Sequence, residues 1–217
     1  MDIGSLEVEY LNKNYPISIL ENTILSIFGN DNLSLRLPSL ILSIFSIFLY
    51  YKISQKYLKK ANDVYLSTFI FSLMPGFIIA SLLFNKSIYM IFLVLLFIYT
   101  FLYHRFYSYT LLLLYAILNY SFISLYMGLI FYSIYKKDTK FLIYSILLLA
   151  INANYFNYDI KGHPKGHFVD VVLVYFAIFS PFVFTYFIYS LIKVLKKPTL
   201  LWFISSWGLL FSFLFSF

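Results

Sequence analysis

Apolar stretches of about twenty residues constrain this chain more than any other feature. A helix needs about 20 residues, at 1.5 Å each, to cross a hydrocarbon core of about 30 Å. Runs of that kind occupy residues 38–57, 64–83, 87–103, 169–194 and 199–217. A shorter run, 141–156, reads as a sixth span, with Asn152 and Asn154 near its polar end because a lipid-exposed amide is costly. With 62% hydrophobic and 12% charged residues and a mean hydropathy of +0.84, a water-facing surface on 217 residues is out of reach. The expected fold is all-α, a polytopic transmembrane helical bundle of about six to eight membrane helices with one amphipathic helix on its outer face. The whole chain, 1–217, is expected to be one membrane domain.

Residues 106–135 admit two topologies: one long tilted helix, or two short helices broken around Asn119 and Tyr120 that return to the same side. Lys and Arg are retained on the cytoplasmic side during insertion, so basic charge discriminates between them. With the hairpin, the inner loops hold Lys52, Lys56, Lys59, Lys60, Arg105, Lys136, Lys137, Lys140, Lys193, Lys196 and Lys197, the majority of the 16 basic residues. With one long helix they hold only Lys52, Lys56, Lys59, Lys60, Arg105, Lys161 and Lys165. The hairpin is therefore the expected form, although each arm rises only about 21 Å and must be partly covered by protein.

This topology puts residues 1–37 and the loop 157–168 together on the outer face. Within the first, residues 16–28 read as an amphipathic helix, with Ile17, Leu20, Ile24, Leu25 and Phe28 on one side and Ser18, Glu21 and Asn22 on the other. Pro75 and Pro181 fall inside spans and are expected to kink them, with Ser72 and Ser180 available to satisfy the freed backbone groups. The first 37 residues lack the basic start and apolar core of a signal peptide, so no cleaved leader is expected.

The outer segments gather Asp2, Glu7, Glu9, Glu21, Asp31, Asp159 and Asp170 with Arg36, Lys161, His163, Lys165 and His167. Carboxylates beside cations are the residue types that a general base and a phosphate clamp require. The same residues also serve as the wetted ends of helices, and spacing alone does not separate these roles. His163 and His167 lie four apart, but Pro164 and Gly166 between them disfavour the helix that would aim both at one ion, so no metal site is expected there. The absence of Cys excludes disulfides, thiolate-bound zinc and thiol nucleophiles. No phosphate-cradling glycine loop, nucleophile elbow or zinc-protease helix occurs. The net charge of +7 follows from the inner loops and does not point to nucleic acid.

Two segments resemble the polyprenyl-phosphate-dependent membrane glycosyltransferases of the protein mannosyltransferase and aminoarabinose transferase type, which share the GT-C fold. In the first, Glu7, Tyr10 and Pro16 precede Phe28 and Gly29, and then Leu35, Arg36, Leu37, Pro38 and Ser39 open a span. This is similar to the family's acidic first outer loop, its amphipathic helix and the "RLPS" start of its next span. In the second, Gly162, His163, Pro164, Lys165, Gly166, His167 and Phe168 are followed by Tyr175 and Pro181, similar to the family's His-bearing outer loop and the Pro-containing span behind it. The family carries an Asp-Glu pair where this chain has Leu6 and Glu7, and it has further spans at both ends, so the resemblance is to a member truncated at both ends.

The resemblance implies a bacterial inner-membrane protein that transfers a sugar, with inversion, from a polyprenyl-phosphate donor to a lipid or protein acceptor on the outer face. Glu7 or Glu9 would deprotonate the acceptor, and Arg36, Lys161, His163, Lys165 or His167 would hold the departing phosphate. No cofactor is firmly implied, a divalent metal being the one left open, and the expected partners are the donor, the acceptor and membrane lipids. Two other classes stand beside this reading: a non-catalytic remnant or accessory membrane subunit, and a small transporter component. Transport calls for ionisable groups deep in the spans, which are nearly absent here.

Overall fold

The apolar runs fold as helices, and the computed structural model contains no other regular element in the residues it describes, 26, 32–82, 86–117, 123–152 and 168–214. Ten helices follow one another there: α1 (Asn32–Tyr57), α2 (Ala61–Ser72), α3 (Pro75–Leu82), α4 (Lys86–Tyr103), α5 (Arg105–Ile117), α6 (Ile123–Lys136), α7 (Thr139–Ile151), α8 (Phe168–Phe179), α9 (Pro181–Val194) and α10 (Leu200–Leu214). The expected amphipathic helix 16–28 lies outside the described residues except for Ser26, which is helical and exposed. The chain divides into two compact units, Met1–Phe106 and Tyr107–Phe217.

Among the described residues one helix, Arg36–Tyr57, is long and apolar enough to cross a membrane unaided. Two bent pairs qualify when each is taken as one span: Ala61–Ser72 with Pro75–Leu82, bent by 57°, and Val172–Phe179 with Pro181–Val194, bent by 105°. Ile88–Tyr103, Thr139–Ile151 and Leu200–Leu210 are shorter apolar helices. The stretch 106–135 holds two helices, α5 and α6, and the residues around Asn119 and Tyr120 are outside the described set.

Pro75 and Pro181 do more than kink a span, since each opens a new helix at the position where its missing N–H costs nothing. Beside the first break, the Ser72 hydroxyl donates to the Phe69 carbonyl at 2.8 Å. At the second, Ser180 has a positive φ of 64°, and its hydroxyl faces the Val183 N–H at 3.5 Å as the N-cap of α9. Pro38 behaves differently and sits buried inside α1, which starts upstream of it at Asn32.

In the first unit, α1 packs on α2, α3 and α4. Phe77, Ala80 and Ile88 form its core, with Leu42, Ile47, Phe71, Met74, Tyr89 and Ile91 around them. Tyr50 stacks on Phe71 at 4.2 Å and shares a 2.9 Å hydrogen bond with Ser67, while Tyr51 stacks on Tyr65. The end of α1 thus meets the start of α2. The early residues of α1 and α4 share the core cluster, and at their far ends the Tyr103 hydroxyl donates to the Lys52 carbonyl at 2.9 Å. Those contacts make α1 and α4 run in the same sense, with α2 and α3 as the return between them.

In the second unit, α6 packs on α7 and α10, and α8 packs on α9. Gly128 on α6 is buried against the α10 backbone, where a Cβ would stand 2.8 Å from Ile204 Cα and 2.9 Å from Ile204 N. Phe131 on Trp207 and Tyr132 and Tyr135 around Phe203 fill the flanks of this close crossing. The corner between α6 and α7 is a Schellman motif: Asp138 N–H donates to Ser133 O and Lys137 N–H to Ile134 O, with Lys137 at a φ of 56°. Asp138 then caps α7 by accepting from Phe141 N at 3.2 Å.

Burial in several helices is inverted relative to a water-soluble protein. On α1, Ser39 and Ser46 are fully buried and Ser43 nearly so, whereas Ile44, Phe45 and Phe48 are more than half exposed. Ser133 is buried on α6 with Ile134 and Tyr135 outside it, and Ser145 on α7 with Ile143, Ile146 and Leu147 outside it. Most of these hydroxyls are satisfied within their own helix: Ser43 on Leu40 O, Ser133 on Leu129 O and Ser145 on Phe141 O. They need no polar partner from a neighbour and act as small spacers that let backbones approach. Asn152, expected near a polar helix end, is the buried C-cap of α7 and donates Nδ2 to Leu148 O.

Two outcomes are expected from thermal unfolding in detergent, followed by circular dichroism. Gly128→Ala lowers stability by about 1–3 kcal/mol, since backbone atoms must move to admit the methyl, whereas Gly208→Ala, which meets nothing within 4 Å, does not. Lys137→Gly raises stability by about 0.5–1 kcal/mol by relieving the left-handed residue, and Asp138→Ala lowers it by about 1 kcal/mol through the lost cap.

Candidate functional site

The site is built from one face of α1. Residues 36, 39, 43 and 46 recur at the helical spacing that puts them in one stripe, at the end where the first spanning helix begins. Arg36 is half-buried, and its Nε is shut off from the surface without a hydrogen-bond partner among the described residues. The hydroxyls of Ser39 and Ser46 are in the same condition. Ser43, between them, is satisfied by Leu40 O at 2.7 Å. A buried donor left unmade costs about 1–3 kcal/mol, and among the described residues these three have no partner. A guanidinium presents a planar fork of donors that suits phosphate oxygens, and a serine hydroxyl one turn further along the helix extends it.

The other basic side chains of the helices are held differently. Lys52 lies over the Phe48 ring and Lys56 over Tyr103, each with Nζ 5.7 Å from the centroid, and the Arg105 guanidinium is 5.2 Å from that of Phe101. Lys136 over Tyr135 and Lys193 over Tyr189 repeat the arrangement in the second unit. In each the charged group itself lies over a ring face, a cation–π contact. These cations stand at helix ends, and Lys52 and Lys56 lie at the end of α1 opposite Arg36.

Of the residues expected to carry chemistry, Arg36 is the one within the described set. Glu7 and Glu9, and Lys161, His163, Lys165 and His167, lie outside it. Among the described residues no group of three or more His, Cys, Asp or Glu is placed to hold a metal ion. Ser39 enters in the sequence only as the last residue of the segment that opens the span, with no chemical role, and Ser46 is not singled out there. Ser39 and Ser46 lie three and ten positions after Arg36, as small residues in an otherwise bulky run.

Compared with protein-family models, with curated proteins and with solved structures, the chain matches none.

Proposed function

We propose that this chain is a polytopic membrane protein of the inner membrane that works as a GT-C-like glycosyltransferase, moving a sugar from a polyprenyl-phosphate donor to a lipid or protein acceptor on the outer face. The observation that carries the phosphate-binding part is Arg36 at the start of the spanning helix, whose buried Nε, like the Ser39 hydroxyl three residues on, has no partner among the described residues. The sugar-transfer part rests on the resemblance of residues 7–39 and 162–181 to that family.

The membrane part is supported by the outward-facing Ile, Leu and Phe of α1, α6 and α7 and by the aromatic-braced lysines at helix ends. The same-sense run of α1 and α4 is what three successive crossings by 38–57, 64–83 and 87–103 require, and two helices in 106–135 suit the hairpin that the basic residues favour.

In the reaction, the acceptor oxygen attacks the anomeric carbon from the face opposite the phosphate. The bond from that carbon to the phosphate oxygen breaks, and the acceptor proton passes to Glu7 or Glu9. Arg36 with Ser39 stabilises the charge that collects on the departing polyprenyl phosphate, an electrostatic role whose loss costs about 100-fold in rate for one well-placed donor.

The test is sugar transfer from a polyprenyl-phosphate donor in liposomes containing only this chain. Arg36→Gln is expected to lower transfer by about 100-fold, with Arg36→Lys recovering part of it because the charge returns without the fork. Unchanged transfer in Arg36→Gln would remove Arg36 from the site. No transfer from well-folded wild type would point instead to the accessory or remnant class.

A further inference from the structure

Where α8 meets α9, the break at Ser180 turns the chain by 105° and opens a groove of about 350 Å³. Phe176 forms one wall, and Phe184, Thr185, Ile188, Tyr189 and Ile192 form the other. Thr185 turns its hydroxyl back onto Pro181 O at 2.8 Å, so it shows the groove mainly its methyl. Phe184 holds the two helices together, stacking on Tyr175 at 5.2 Å with Phe176 edge-on at 5.6 Å.

The groove does not end in apolar surface. Past Tyr189 and Ile192 the chain gives Lys193, Lys196 and Lys197, all exposed, with Lys193 Nζ 5.8 Å from the centroid of the Tyr189 ring. The acidic side chain described in this unit, Asp138, is engaged in capping α7. An apolar trough leading into three lysines has the chemistry of an anionic amphiphile, with a chain for the trough and a phosphate for the cations.

We infer that this groove seats one acyl chain of an anionic phospholipid whose headgroup phosphate is held by Lys193, Lys196 and Lys197. The occupant belongs to the leaflet on the lysine side, where anionic lipids and polybasic segments meet, and so differs from the polyprenyl phosphate assigned to Arg36. A loose surface attraction would need only the lysines. Here the groove fixes the chain, so both parts are required for selectivity. The inference rests on the membrane reading above, but not on sugar transfer.

Trp202 supplies a reporter, since its indole Nε1 donates to Leu191 O at 2.7 Å, beside Ile192 at the lysine end of the groove. Replacing the second tryptophan, Trp207→Phe, leaves Trp202 as the sole tryptophan, excited selectively at the red edge where tyrosine does not absorb. This protein is placed in phosphatidylcholine vesicles carrying increasing fractions of chain-brominated phosphatidylglycerol or, in parallel, equally brominated phosphatidylcholine. Half-maximal quenching is expected at a roughly tenfold lower fraction of the anionic lipid. The preference is expected to vanish both in Lys193→Gln/Lys196→Gln/Lys197→Gln and in Thr185→Phe, which fills the trough without removing charge. Equal quenching by the two lipids overturns the inference while leaving the membrane reading intact. A preference that survives Thr185→Phe also overturns it, by reducing the effect to surface charge. Quenching by neither lipid overturns the inference together with the membrane reading.

Discussion

Everything described above depends on how the helices dispose of their hydroxyls. Ser43, Thr68, Thr100, Ser133 and Ser145 each close a hydrogen bond onto a carbonyl three or four residues back in their own helix. A serine satisfied in this way is a small inert spacer, and it can be buried without asking anything of its neighbour. On α1 the bulky Ile44, Phe45 and Phe48 face the surroundings, while Leu49 and Ile53 are buried with the serines. In water such a surface is an aggregation hazard; against lipid it is the ordinary arrangement, because hydrocarbon exerts no hydrophobic preference for placing Phe inside. The tight crossing of Gly128 on Ile204 follows the same logic, with size rather than polarity deciding what lies between helices.

That inversion also explains how much of the fold could be read in advance. Helix identity was legible, because a long apolar run has few alternatives to an α-helix when its backbone must satisfy itself. Helix ends were less so. Pro75 and Pro181 were recognised as interruptions, but not the size of each bend: a left-handed Ser180 directly precedes Pro181 at the 105° bend, whereas Met74, which precedes Pro75 at the 57° bend, is not left-handed. Pro38 misled in the other direction by suggesting a start, when α1 continues upstream to Asn32 and carries the proline inside it. A proline's effect depends on what its neighbours can supply, and that is a tertiary property.

The site divides along the same line. Arg36 stood out in the sequence as a cation among the outer carboxylates and as part of the segment that resembles the glycosyltransferase family. Ser39 and Ser46 did not, since a serine within an apolar run ordinarily bonds its own backbone, as Ser43 does between them. Only coordinates distinguish the satisfied hydroxyl from the two that have no partner among the described residues. Glu7 and Glu9 were chosen by residue type and by resemblance, and Lys161, His163, Lys165 and His167 by their place in one loop. All six lie outside the described residues.

Burial separates two kinds of positive charge in this chain. Lys56, Lys136 and Lys193 are exposed and lie along rings at helix ends, where their ammonium groups keep water or headgroups as partners. Such charges orient a helix during insertion and hold its end at the interface, and moving one by a turn along the helix would change little. Arg36 is half-buried with Nε enclosed and without a partner among the described residues, a bond whose absence is costly. A charge that only orients a helix has no reason to bear that cost. The enclosed donor at the start of α1 therefore differs from Lys52 and Lys56 on the same helix, whose ammonium groups lie over rings.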